Sequence, residues 1–148
     1  MSGLGGFARR YYRSLGALAA DVRTLFVRRR EIRALMREER IDHAFRERLM
    51  LVVTGVNACR YCSYAHAKEA LSAGIDEEEI EDLTAGTLEG SPPEQVPALL
   101  YAQHWAESDA DPDPEARGAV VDRYGEETVR DIELALQMIR MGNLSGNT

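Results

Sequence analysis

Residues 43–56, "HAFRERLMLVVTGV", constrain the fold more than any other stretch of the chain. Read as a helix, they set Phe45, Leu49, Val52, Val53 and Val56 on one face and Met50 and Leu51 on the other. A helix that is apolar on two sides must be covered on two sides, so it belongs in a core or an interface. Asp42 is its candidate N-cap, Gly55 its expected end, and Asn57 the expected cap of the helix that follows.

The flanking sequence keeps the same period. From Leu15, apolar residues recur at Leu18, Val22, Leu25, Ile32 and Met36, with Arg29 breaking the series. "SAGID" supplies a helix stop at Gly74, and Asp76 opens the short acidic helix "DEEEIEDL". "SPPE" at 91–94 reads as a start signal, with Ser91 as cap, Pro92 at the first position and Glu94 completing a capping box. "DPDPEARGAVVDRYG" and "EETVRDIELALQMIRMGN" give two further helices, the last with Val129, Ile132, Leu136 and Ile139 in one stripe. Nothing alternates with the period of a strand, and no repeat or long linker interrupts the 148 residues. The expectation is an all-α single domain over 1–148, a basic helical segment at 1–40 preceding a core at 41–148.

Charge divides the chain in the same place. Residues 1–40 hold ten arginines against four acids, a net of +6; the other 108 hold eight bases against 21 acids, a net of −13. An acidic body argues against general nucleic-acid binding. The basic segment could touch an anionic membrane or RNA, but the expectation is a solvated helix face that also docks on acidic neighbours. No apolar run approaches the roughly 20 residues of a spanning helix, so no membrane insertion is expected. The opening "MSGLGGFARRYYRSLG" lacks the apolar core and cleavage site of a secretory signal. Two cysteines, three positions apart, are too few and too close to staple a secreted fold. A cytoplasmic location is expected.

Those cysteines lie in "NACRYCSYAH", residues 57–66. On a helix at roughly 100° per residue, Cys59, Cys62 and His66 fall within an arc of about 60°. Cys59 near the helix start gains from the dipole, which lowers a thiol pKa. His66, one turn past Cys62, can take its proton. If the chain folds back at Gly55–Asn57, Glu47 and His66 both lie about 12–14 Å from the turn, at matching depth. Glu47 shares a stripe with Met50, Leu51 and Thr54, so it is expected among packed neighbours. The same residues also allow blander readings. A C-x-x-C can be a structural pair or half a zinc site, with only His43 and His104 as further histidines and no second C-x-x-C. Glu47 alone suits an ion pair with Arg46 or Arg48, and His104 reads as an ordinary helix residue. Ser63 after the motif excludes covalent haem attachment.

The segment "RERLMLVVTGVNACRYCSYAHAKEALSAGIDEEEIEDL" resembles the AhpD-like alkylhydroperoxidase branch of the carboxymuconolactone decarboxylase superfamily. That family's mark is a glutamate twelve residues before C-x-x-C-x-x-x-H, followed by an "AGI"-type turn and an acidic helix. Here these are Glu47, Cys59, Cys62, His66 and "SAGIDEEEI". The carboxyl-terminal "RMGNLSGNT" is similar to the family's closing segment.

The resemblance implies a helical bundle with the C-x-x-C at the start of a core helix, assembled as a dimer, trimer or hexamer. It implies a thiol peroxidase or disulfide oxidoreductase acting on organic hydroperoxides through a proton relay of Glu47, Cys62, His66 and Cys59. In that scheme Cys62 attacks the peroxide, Cys59 resolves and exchanges, and a thiol or lipoyl-bearing protein restores the dithiol. No bound cofactor or metal is implied. Tyr61 stands where the best-known members carry a histidine, which bears on rate and substrate. From a different class comes a non-catalytic redox-sensing, assembly or zinc-binding protein on the same fold.

Overall fold

The structure, a computed structural model, describes residues 8–38 and 40–148. Residues 1–7, part of the stretch read as lacking a secretory signal, lie outside the described residues, as does Glu39 of the basic segment. Among the described residues there are eight α-helices and no strand. They are α1 (Leu15–Val27), α2 (Arg29–Met36), α3 (His43–Asn57), α4 (Arg60–Ser72), α5 (Glu77–Ala85), α6 (Val96–Glu107), α7 (Pro114–Tyr124) and α8 (Glu126–Gly146).

The two-sided helix takes the centre. α3 packs against α4, α5, α6 and α8, and Leu49, Met50, Leu51, Val52, Val53 and Val56 are all buried. Each such side chain is worth about 1.5–3 kcal/mol when taken from water. Asp42 caps α3 as expected, its Oδ1 accepting from the Phe45 amide at 2.7 Å. The end of α3 differs from the expectation. Gly55 does not stop it; the helix runs on to Asn57, and Ala58 turns in the left-handed region at φ 54°. Gly55 serves close packing instead, since a Cβ there would sit on the Thr84 carbonyl of α5. Asn57 does not cap α4; Cys59 does.

Two other boundaries shift for identifiable reasons. The amino-terminal series is not one helix, because Arg28 leaves helical geometry between α1 and α2 and bonds to Glu31 and Gln137. That break resets the phase. Leu25 and Leu35 turn inward, while Val22 and Met36 face solvent. The Ser91 capping box does not form either. Residues 92–95 make a turn closed by the Gln95 amide on the Pro92 carbonyl at 2.9 Å, and α6 starts at Val96. A helix from Pro92 would lack a bond at Pro97, which has no N–H; starting at Val96 places Pro97 among the amides that need no helical partner.

The basic segment docks where acids await it. Arg40 reaches Asp131 at 3.0 Å and Glu127 at 3.3 Å on α8, and Arg10 reaches Asp109 at 2.8 Å. α8 closes the bundle, burying Val129, Ile132, Leu136 and Ile139 as the stripe predicts. No described helix is long and apolar enough to cross a membrane.

Candidate active site

The turn at Ala58 and Cys59 folds α4 back along α3, and this alone aligns residues distant in sequence. His66 Nδ1 lies 2.8 Å from Glu47 Oε2, across nineteen positions of chain. Equal distance from the turn predicted that meeting. A carboxylate at that nitrogen holds Nδ1 as the N–H donor and leaves Nε2 free to accept a proton. Glu47 is buried with 3% of its surface exposed, between Met50, Leu51 and Thr54 on its own helix and α4 opposite. It does not pair with Arg46 or Arg48; Arg48 goes to Glu79 at 2.6 Å.

Cys59 and Cys62 are joined in a disulfide. Cys59 is the N-cap of α4, and its Sγ accepts from the Cys62 amide at 3.3 Å. A thiolate in that position is held by the donor and by the positive end of the helix. Cys62 sits on the inner face, one turn before His66, with Sγ 3.6 Å from the Gly142 carbonyl oxygen. Both residues are buried, Cys59 with 1% and Cys62 with 7% of its surface exposed.

Sequence reasoning singled out the glutamate, both cysteines and the histidine as candidates, and it missed what covers them. The end of α8 lies across the disulfide, where a Cβ on Gly146 would come within 3.0 Å of the Cys59 sulfur and 3.2 Å of the Cys62 sulfur. Asn143 on the same helix bridges the buried ends, donating to Thr54 Oγ1 at 3.0 Å and accepting from Asn57 Nδ2 at 3.2 Å. Asn147 donates to the carbonyls of Asn57 and Arg10, tying the amino-terminal segment to the same corner. His43 was noted only as a spare histidine, yet its Nε2 lies 3.7 Å from Glu47 Oε1 and 3.5 Å from Glu69 Oε2. Its position one helical turn before Glu47 was the available signal. His104 is structural, as read, accepting from the Asp113 amide at 3.0 Å. Among the described residues no group of three or more His, Cys, Asp or Glu is arranged to hold a metal ion.

The profile of the carboxymuconolactone decarboxylase family matches residues 20–108, which include Glu47, Cys59, Cys62 and His66. The chain belongs to that family. The matched span runs from within α1 through α6, so the α8 segment that covers the disulfide lies beyond it. No curated protein and no solved structure matches the chain. Family members include both peroxidases and decarboxylases.

Proposed function

We propose that the protein is a thiol-dependent peroxidase and disulfide oxidoreductase that reduces organic hydroperoxides through Cys59 and Cys62. One observation carries the reading: a redox-capable cysteine pair at the start of α4 shares its helix with a histidine held by a buried glutamate at 2.8 Å. In the reduced protein the Glu47–His66 pair draws the proton from Cys62. The Cys62 thiolate attacks the outer peroxide oxygen, the O–O bond breaks, and the alkoxide takes that proton to leave as the alcohol. Cys62 is then a sulfenic acid, and Cys59 displaces its hydroxyl as water to close the disulfide. A dithiol reductant restores the pair by exchange. Burial changes one role expected from the sequence. Cys62 is the less buried residue and Cys59 the better-stabilised leaving group, so exchange is favoured at Cys62.

The cytoplasm suits this cycle, because the reductant must itself stay reduced. Assembly of several copies is part of the reading, supported by the solvent-facing line of Leu15, Val22 and Phe26 on α1. The burial of both sulfurs is the observation that favours the alternative, a redox-responsive protein without efficient turnover. Steady-state reduction of an organic hydroperoxide by purified protein with dihydrolipoamide separates the two. Peroxidase chemistry predicts saturable turnover that disappears in both Cys59→Ser and Cys62→Ser. Turnover unchanged in Cys62→Ser would remove it, and a disulfide that cycles without turnover would favour the sensor.

A further inference from the structure

We infer that residues 145–148, at the end of α8, form a strap over the disulfide, and that the Asn147 side chain is the latch controlling how readily a thiol reaches it. Cys59 and Cys62 are both buried, and exchange requires a thiolate to touch a sulfur atom, so part of the cover has to move. The cover is thin where it matters. Asn143 and Leu144 are the last buried residues of α8, at 0% and 2% exposed. Beyond them Ser145, Gly146 and Thr148 face solvent, and Asn147 is half-buried. Gly146 nevertheless lies against both sulfurs, close enough that a Cβ would come within 3.0 Å of Cys59 Sγ and 3.2 Å of Cys62 Sγ. At this point a single turn of backbone separates the disulfide from water.

Hydrogen bonds hold that turn down, not packing. None of Ser145, Gly146, Asn147 and Thr148 brings a large apolar side chain to the core. Among the described residues, Asn147 makes the only side-chain hydrogen bonds from this stretch to the fold beyond α8. Its Nδ2 donates to the Asn57 carbonyl at 2.8 Å and to the Arg10 carbonyl at 2.9 Å. Thr148 Oγ1 donates only within the helix end, to the Leu144 carbonyl at 3.0 Å. The anchor points are themselves fixed. Asn57 ends α3, where a carbonyl has no helical partner, and its oxygen also accepts from the Arg10 amide at 3.2 Å. Arg10 in turn is pinned through its guanidinium to Asp109 at 2.8 Å.

The strap can therefore lift without disturbing the α3 core. Asn143 keeps its bonds to Thr54 and Asn57, Leu144 stays buried, and only the two Asn147 bonds and the last turn of α8 are lost. Openings of this kind, confined to a helix end with few apolar contacts, lie at the low-energy end of native fluctuations. A peroxidase and a redox sensor must both admit a thiol here, so the latch stands apart from the choice between them.

The test is reduction of the oxidised protein by dithiothreitol, stopped with an alkylating agent and read by mass. One dithiothreitol thiolate attacks a sulfur of the pair and the other closes the reagent's ring, so two electrons pass and two thiols appear on the protein. Asn147→Ala protein is expected to be reduced roughly tenfold faster than the native protein, the weight of the lost hydrogen bonds. Asn147→Asp keeps the shape but sets an acceptor against two carbonyls, and should be at least as fast. Urea well below the unfolding transition should leave the native rate nearly unchanged, because lifting one turn exposes little surface. Reduction of both variants at the native rate would overturn the latch. So would a native rate that climbs steeply with urea, since access would then come from unfolding of the whole chain. Faster reduction in the variants, with native reduced protein that leaves peroxide unconsumed, would support the latch while removing the peroxidase reading.

Discussion

Glu47 is a buried carboxylate whose two oxygens are divided between two histidines, His66 at 2.8 Å and His43 at 3.7 Å. Taking a carboxylate out of water is costly unless its hydrogen bonds are replaced, so a group kept in such a place is there to hold something. What it holds is the His66 ring, with Nε2 left to accept. Glu47→Gln keeps the shape and removes the charge that stabilises a protonated imidazole. It is expected to lower peroxide turnover by roughly 10²- to 10⁴-fold, measured as kcat at saturating dithiol, with the helical spectrum unchanged. At this scale the four central residues were legible because helical spacing places them within two adjacent segments. Asn143 and Gly146 were not, since their partners lie more than eighty positions away and no local pattern announces a contact that only α8 packing creates.

Gly142 and Gly146 lie one turn apart near the end of α8, and only one of them is needed for packing. A Cβ at Gly146 would press on both sulfurs, whereas a Cβ at Gly142 meets nothing within 4 Å. Gly146→Ala is therefore expected to cost about 1–3 kcal/mol, as overpacking does. Gly142→Ala should be neutral or stabilising by up to about 1 kcal/mol, because alanine is the better helix former. Urea unfolding of the oxidised protein compares the two, and equal effects would remove α8 as the cover of the disulfide. Helix starts were legible where one side chain decides them, as at Asp42 and Asp76, each bonded to the amide three residues on. Ser91 carried the same signal and failed, because the later Pro97 fixed where α6 could begin. Gly55 misled for a related reason: glycine marks a helix end in sequence, but here it marks the approach of α5.

Across the whole molecule, opposite charge joins the basic segment to the acidic body, and two tyrosines beside carboxylates contribute to its stability at alkaline pH. Tyr101 is 3% exposed and donates to Glu133 at 3.0 Å. Burial first, and the Glu133 charge second, push its hydroxyl well above the ordinary 10.0. Tyr12 beside Asp21 is raised in the same way. The unfolded chain therefore loses these protons at lower pH than the folded one does. Their contribution is intact below about pH 10 and falls as pH rises beyond it. Tyr101→Phe is expected to flatten that alkaline decline in urea midpoints taken between neutral and strongly alkaline pH, and an unchanged slope would contradict it. The all-helical class and the central place of α3 were readable from periodicity alone. How far the sulfurs are buried was not, because it depends on the end of α8 packing over that corner.

The central claim is that peroxide makes the Cys59–Cys62 bond. Fully reduced protein, free of oxygen, mixed with one equivalent of an organic hydroperoxide, should consume that equivalent, lose both thiols together and yield the Cys59–Cys62 disulfide by mass. Peroxide left unconsumed while both thiols persist would contradict the account.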